Sequence, residues 1–84
     1  MKIPKIVMVT WEDAWMHNSA TYTKEELGKV TGIMLHVAGF LVRDDKKGVI
    51  IAGEYSPAMD NYRNVQFIPR GMVRHIFTVR RGLK

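Results

Sequence analysis

Apolar and polar positions along the chain fall into five strand-like stretches separated by polar loops. Ile3-Pro4-Lys5-Ile6-Val7-Met8-Val9-Thr10-Trp11 is rich in β-branched residues and reads as a first strand. Pro4 brings no N–H to a ladder, so it belongs at the strand start or on an edge. Val7, Val9 and Trp11 share one face and Ile6 and Met8 the other; two apolar faces fit a small closed barrel or an interface. Residues 12 to 22 break the pattern with Asp13, His17, Asn18 and Ser19 and read as a loop. Within the same early connection, Thr23 and Glu26 stand three apart as in a capping box, predicting a helix of one or two turns that ends at Gly28 or Gly32.

From Ile33 to Val42 both alternating faces are apolar, with Gly39 in the middle. A central glycine and the charged turn after Val42 favour a bent strand over a helix. Arg43-Asp44-Asp45-Lys46-Lys47-Gly48 reads as a hairpin loop, with Gly48 free to take a positive φ, and Val49 to Tyr55 returns as the partner strand. The polar stretch Ser56 to Asn64, with Pro57 and Asp60-Asn61, reads as a second loop. A fourth strand begins at Val65 and runs into Pro69, which stops the ladder. A tight turn through Arg70-Gly71-Met72 follows, with Gly71 supplying a positive φ or a close approach, and a last strand opens near Val73. Strand, single 3₁₀-like turn and short final strand is the ending of Sm-like and Src-homology-type barrels. The prediction is therefore an all-β, five-stranded small barrel with one short helix in an early loop.

Eighty-four residues make a single domain, residues 1–84, and one too small to bury a generous core. There is no cysteine, which removes disulfides and thiolate zinc sites as sources of stability and leaves oligomerisation. Apolar surface on both faces of residues 33 to 42 points the same way, to a homo-oligomer. No apolar run approaches a membrane span and no signal-peptide pattern opens the chain, so a cytoplasmic protein is expected. The net charge of +5 is unevenly placed. Residues 1 to 69 carry eight basic and eight acidic side chains, and the excess is Arg70, Arg74, Arg80, Arg81 and Lys84, with a basic end at 80–84. A one-sided basic end favours an anionic partner, a nucleic acid, a nucleotide or an acidic protein surface; the plain alternative is a solvated tail that keeps a small protein soluble.

Several segments resemble a group of small phage-encoded proteins. They are Val9-Thr10-Trp11-Glu12-Asp13-Ala14, Tyr22 before Glu25-Glu26-Leu27, Val37-Ala38-Gly39-Phe40-Leu41-Val42, Val49-Ile50-Ile51-Ala52, and Ile68-Pro69-Arg70-Gly71-Met72-Val73-Arg74-His75-Ile76. The likeness spans most of residues 6 to 79. Members of that group carry a serine cluster and a tryptophan in the loop after the aspartate, where this chain has Trp15, Met16 and His17, with Tyr22 in place of the tryptophan. The resemblance implies a phage or prophage origin and a small β-barrel, and no activity.

Catalysis finds little support. There is no Gly-rich phosphate loop with Lys-Ser/Thr, no Gly-x-Ser-x-Gly and no thiol. His17, His36 and His75 are scattered, so no metal and no cofactor is expected; His36, in an apolar run, reads as a core or interface histidine with a backbone partner. A small hydrolase using Asp13 and His17 ranks third, because nothing in their spacing requires a pair and two solvated polar side chains explain them better. Binding is better supported: Trp11, Trp15, Tyr22, Tyr55 and Tyr62 put rings at strand ends and in loops, and exposed rings beside cations form stacking platforms for bases. Trp11, within a strand, reads as core. Trp15, Tyr62, Arg63, Arg70 and Arg74 are the candidate ligand contacts, in a non-catalytic phage accessory protein that takes a phosphate-bearing ligand, including a counter-defence protein that sequesters a nucleotide signal. The alternative is a module that docks on a host or phage protein through an exposed edge strand.

Overall fold

A computed structural model describes residues 3–14 and 21–79. Five strands form one antiparallel sheet: β1 (Ile6–Asp13), β2 (Ile33–Asp45), β3 (Gly48–Ser56), β4 (Asn61–Pro69) and β5 (Val73–Thr78), in the order β4-β3-β2-β1-β5. The early connection carries a single helical turn, α1 (Lys24–Leu27), closed by the Thr23–Glu26 capping box: Glu26 N–H donates to Thr23 Oγ1 at 3.2 Å, and Thr23 N–H donates to Glu26 Oε1 at 3.0 Å. It buries no residue, and Gly28 caps it.

Pro69 ends β4 and a 3₁₀ turn, Arg70–Met72, leads straight into β5. That connection dictates the shape of the sheet. β4 and β5 are its two edges, four inter-strand spacings apart, or roughly 19 Å across a flat sheet. The four residue steps from Pro69 to Val73 reach at most about 14 Å fully extended, and less through a 3₁₀ turn. The sheet must therefore curl. Its buried cluster says the same: Val7 and Val9 of β1 meet Val49 and Ile51 of β3 and Ile68 of β4, although β2 lies between β1 and β3 in the ladder. Trp11, Val37, Leu41, Met72, Val73 and Ile76 pack around this cluster, in agreement with the reading of Trp11 as core. Among the described residues no ladder pairs β4 with β5, so the sheet is open rather than a closed barrel.

The bend in β2 is built where expected. A Cβ on Gly39 would lie 2.7 Å from the Ala52 carbonyl oxygen, so only glycine lets β3 cross there. Three residues later the register between β2 and β3 slips at Val42, a bulge that adds to the bend.

Three expectations need correction. Arg43 to Asp45 are strand and only Lys46 and Lys47 turn, because Asp45 Oδ1 accepts the Lys47 and Gly48 N–H groups (2.9 and 3.3 Å) and closes the hairpin early. The second loop is also shorter: Asn61 to Asn64 are polar because they lie on an edge strand, and Asn61, Tyr62 and Arg63 pair in register with Ser56, Tyr55 and Glu54 of β3. Finally, Gly71 has neither a positive φ nor any atom within 4 Å of a Cβ placed on it. The glycine that the backbone needs is Gly48, at φ 155, where a Cβ would collide with the Ile68 carbonyl oxygen.

Candidate ligand site

The five candidate contacts fall into two groups and one omission. Trp15 lies outside the described residues, as do His17 and the basic end at 80–84, so the Asp13–His17 pair is not described. Tyr62 and Arg63 sit at the start of β4, and Arg70 and Arg74 follow its end, roughly 25 Å away along an extended strand. One ligand of nucleotide size does not touch both groups.

At the far end of β4 the two arginines hold the fold together. Arg70 donates from Nε and Nη2 to the Asp45 carbonyl (3.1 and 2.6 Å) and pairs with the Asp44 carboxylate, while its N–H bonds Lys47 O at 3.1 Å. It thus ties the 3₁₀ turn to the β2–β3 hairpin. Arg74 reaches Glu12 Oε1 and donates from Nη1 to Gly71 O at 2.7 Å. Glu12 Oε2 also accepts the Gly32 N–H at 2.8 Å; that bond first, and Arg74 second, hold its carboxyl below the usual carboxylate range.

The start of β4 is different. There the outer surface of the β3–β4 hairpin and the bend of β2 enclose a concavity of about 580 Å³, lined by Phe40, Glu54, Tyr55, Ser56, Asn61 and Arg63 among others. The β3–β4 register sets which residues are neighbours there. Glu54 and Arg63 are opposed in register and so share a face; Tyr55 and Tyr62 are the next pair. Arg63 lines the concavity and Tyr62 does not; its ring lies behind, 5.1 Å from that of Tyr55. Phe40 adds a third ring, 6.2 Å from Tyr55 and tilted by 51°. Neither Phe40 nor Glu54 was singled out from the sequence; the cue was the pairing of Glu54 with Arg63, which becomes visible only once the β3–β4 register is fixed.

The hairpin beneath is tightly specified. Asp60 and Asn64 both take positive φ, at 50° and 57°, a conformation Asp and Asn adopt more readily than other residues with a Cβ. Tyr55 donates its hydroxyl to Asp60 Oδ1 at 2.9 Å, and this bond, ahead of burial, pushes the Tyr55 phenol above its ordinary value. The Met59 N–H donates to Ser56 Oγ at 3.3 Å across the turn.

Among the described residues no group of three His, Cys, Asp or Glu side chains could hold an ion. His36 is exposed rather than buried, and its Nδ1 lies 2.9 Å from Thr10 Oγ1, a side-chain rather than a backbone partner. His75 stands opposite Thr10 on the other side, its ring 5.2 Å from Phe77. Among the described residues no helix is long and apolar enough to cross a membrane. No protein-family model, curated protein or solved structure matches the chain.

Proposed function

We propose that this chain is a non-catalytic binding protein for a phosphate-bearing ligand, a nucleotide or nucleic acid, which it holds at the β3–β4 hairpin. One observation carries the reading: Arg63, its side chain 76% exposed, lines the same concavity as the Phe40 and Tyr55 rings, and that concavity is large enough for a mononucleotide. Rings stack the base, at ~1–3 kcal/mol per base, and the guanidinium takes the phosphate. The curl of the sheet and the strand–3₁₀–strand ending support an Sm-like or Src-homology-type small barrel. With the phage resemblance, this fits a phage accessory protein acting in the host cytoplasm, including one that sequesters a defence signal. Exposed Ile33, Met34 and Leu35 on β2 support a homo-oligomer.

The test is direct. A purified sample with a raised 260 nm absorbance, and a nucleotide mass in its heat extract, is the expected result; a clean extract and no nucleotide titration at low salt overturn the reading. Light scattering at high concentration tests the oligomer, and a monomer removes it. One feature favours protein docking as the second reading: edge strand β4 exposes Val65 and Phe67 to 56% and 49%.

A further inference from the structure

The pairing of Glu54 with Arg63 says more about the ligand than the arginine alone. Arg63 Nε lies 2.9 Å from Glu54 Oε1, and Asn64 Nδ2 donates to that same oxygen at 3.4 Å. Both anchors fall on Oε1, and among the described residues Oε2 accepts no hydrogen bond. Asn64 reaches its position through a left-handed backbone, opposite Gly53, where a Cβ would come within 3.3 Å of the Asn64 Cβ. A carboxylate is thus held in place at the lip of the concavity with one oxygen still able to accept. On the arginine, Nε is the nitrogen nearest the carboxylate, and the side chain is 76% exposed.

We infer that this pair reads a 5′-phosphorylated ribose, Glu54 Oε2 accepting the sugar hydroxyls and the Arg63 terminal nitrogens taking the phosphate. The inference rests on the nucleotide reading above. An acceptor and a cation in direct contact need a ligand whose hydroxyl donors and anion are close neighbours, and the sugar–phosphate unit supplies both while the base lies over the Phe40 and Tyr55 rings. A carboxylate accepting ribose hydroxyls is a general means of sugar recognition, and the 2′-hydroxyl is the group that separates ribo from deoxy ligands. A bare carboxylate so close to the phosphate would otherwise only repel the ligand. The site therefore selects ribonucleotides, and the acid beside the anion-binding arginine is part of its recognition.

The test compares AMP with 2′-deoxy-AMP on the wild-type protein by calorimetry, then repeats the pair on Glu54→Gln and Glu54→Ala. Wild type should prefer AMP roughly tenfold, as expected for one hydrogen bond to a charged acceptor. Glu54→Ala should bring the ratio near one, and Glu54→Gln, which keeps the shape without the charge, should fall between. Six-nucleotide oligoadenylate in ribo and deoxy forms distinguishes the source: a free nucleotide ligand predicts no gain from the longer strand, an RNA ligand a large one. Equal affinity for AMP and 2′-deoxy-AMP, or a preference that survives Glu54→Ala, overturns the inference and leaves nucleotide binding standing. Absence of binding by any of these ligands removes the nucleotide reading itself.

Discussion

Arg74 stands at the bulge of β5, and its guanidinium grips the carboxylate of Glu12 near the end of β1, with Nε at 3.1 Å and Nη2 at 2.9 Å from Oε1. The register between β1 and β5 slips between Thr10 and Trp11, so Arg74 is the extra residue of its strand, and the bulge re-aims its side chain. The other Glu12 oxygen takes the Gly32 N–H ahead of β2. One carboxylate thereby joins three segments of a small sheet.

This arrangement fixes a pH dependence. The Glu12 pKa is depressed in the folded chain, so its contribution to stability is present above the usual carboxylate range and lost as pH falls through the folded value. The melting temperature should drop as pH falls below about 5. Glu26, depressed by the Thr23 backbone N–H, acts in the same window. Glu12→Gln should lower the melting temperature at neutral pH and flatten part of the acid limb. An acid limb unchanged in that variant would place the titrating group elsewhere.

Two glycines give opposite expectations. Gly48→Ala forces a Cβ onto the Ile68 carbonyl oxygen at a φ that L side chains avoid, so it should cost about 2 kcal/mol or more in denaturant titration. Gly71→Ala meets open space at an ordinary φ and should stay within about 0.5 kcal/mol of wild type. The reverse order would mean that the strain sits in the 3₁₀ turn.

The core is small enough for one residue to decide folding. Ile68 is fully buried between β3 and the curl, and Ile68→Ala should cost about 2–5 kcal/mol. That is comparable with the whole stability of a marginal domain, so the variant should be largely unfolded at room temperature by circular dichroism. Val65→Ala, on the exposed edge three residues earlier, should leave the melting curve nearly in place.

How far the sequence carried can be judged from these same positions. Pro69 made the end of β4 legible, because a missing N–H stops a ladder whatever surrounds it. Gly39 and Gly48 were legible for a similar reason: each allows something a side chain forbids. Asn61 to Asn64 misled, since polar residues on an edge strand look like a loop until their β3 partners are known. Gly71 misled because a 3₁₀ turn accepts ordinary φ, so a glycine there is not required. The site shows the deeper limit. Tyr62 and Arg63 are adjacent in sequence, yet only Arg63 lines the concavity, while Arg63 and Glu54, nine residues apart, stand together. Adjacency is visible along a chain; register is not.

The last prediction separates the two arginine groups. Arg63→Ala removes a cation from the concavity without touching the core, and should weaken nucleotide binding about tenfold with little change in melting temperature. Replacing both Arg70 and Arg74 with Ala should do the opposite. It cuts the link between the 3₁₀ turn and the β2–β3 hairpin and leaves Glu12 without its guanidinium, so the melting temperature should fall. Ligand affinity should then drop only by the long-range loss of two positive charges, roughly twofold to threefold at low salt and nothing at high salt. Removing residues 80–84 should give the same salt-sensitive weakening and leave stability unchanged. Tyrosine and tryptophan fluorescence titration at two salt concentrations, paired with thermal melts, reads all three variants. Abolished binding in a folded Arg70 and Arg74 double variant, with Arg63→Ala unaffected, would move the phosphate site to the 3₁₀ turn and away from the hairpin.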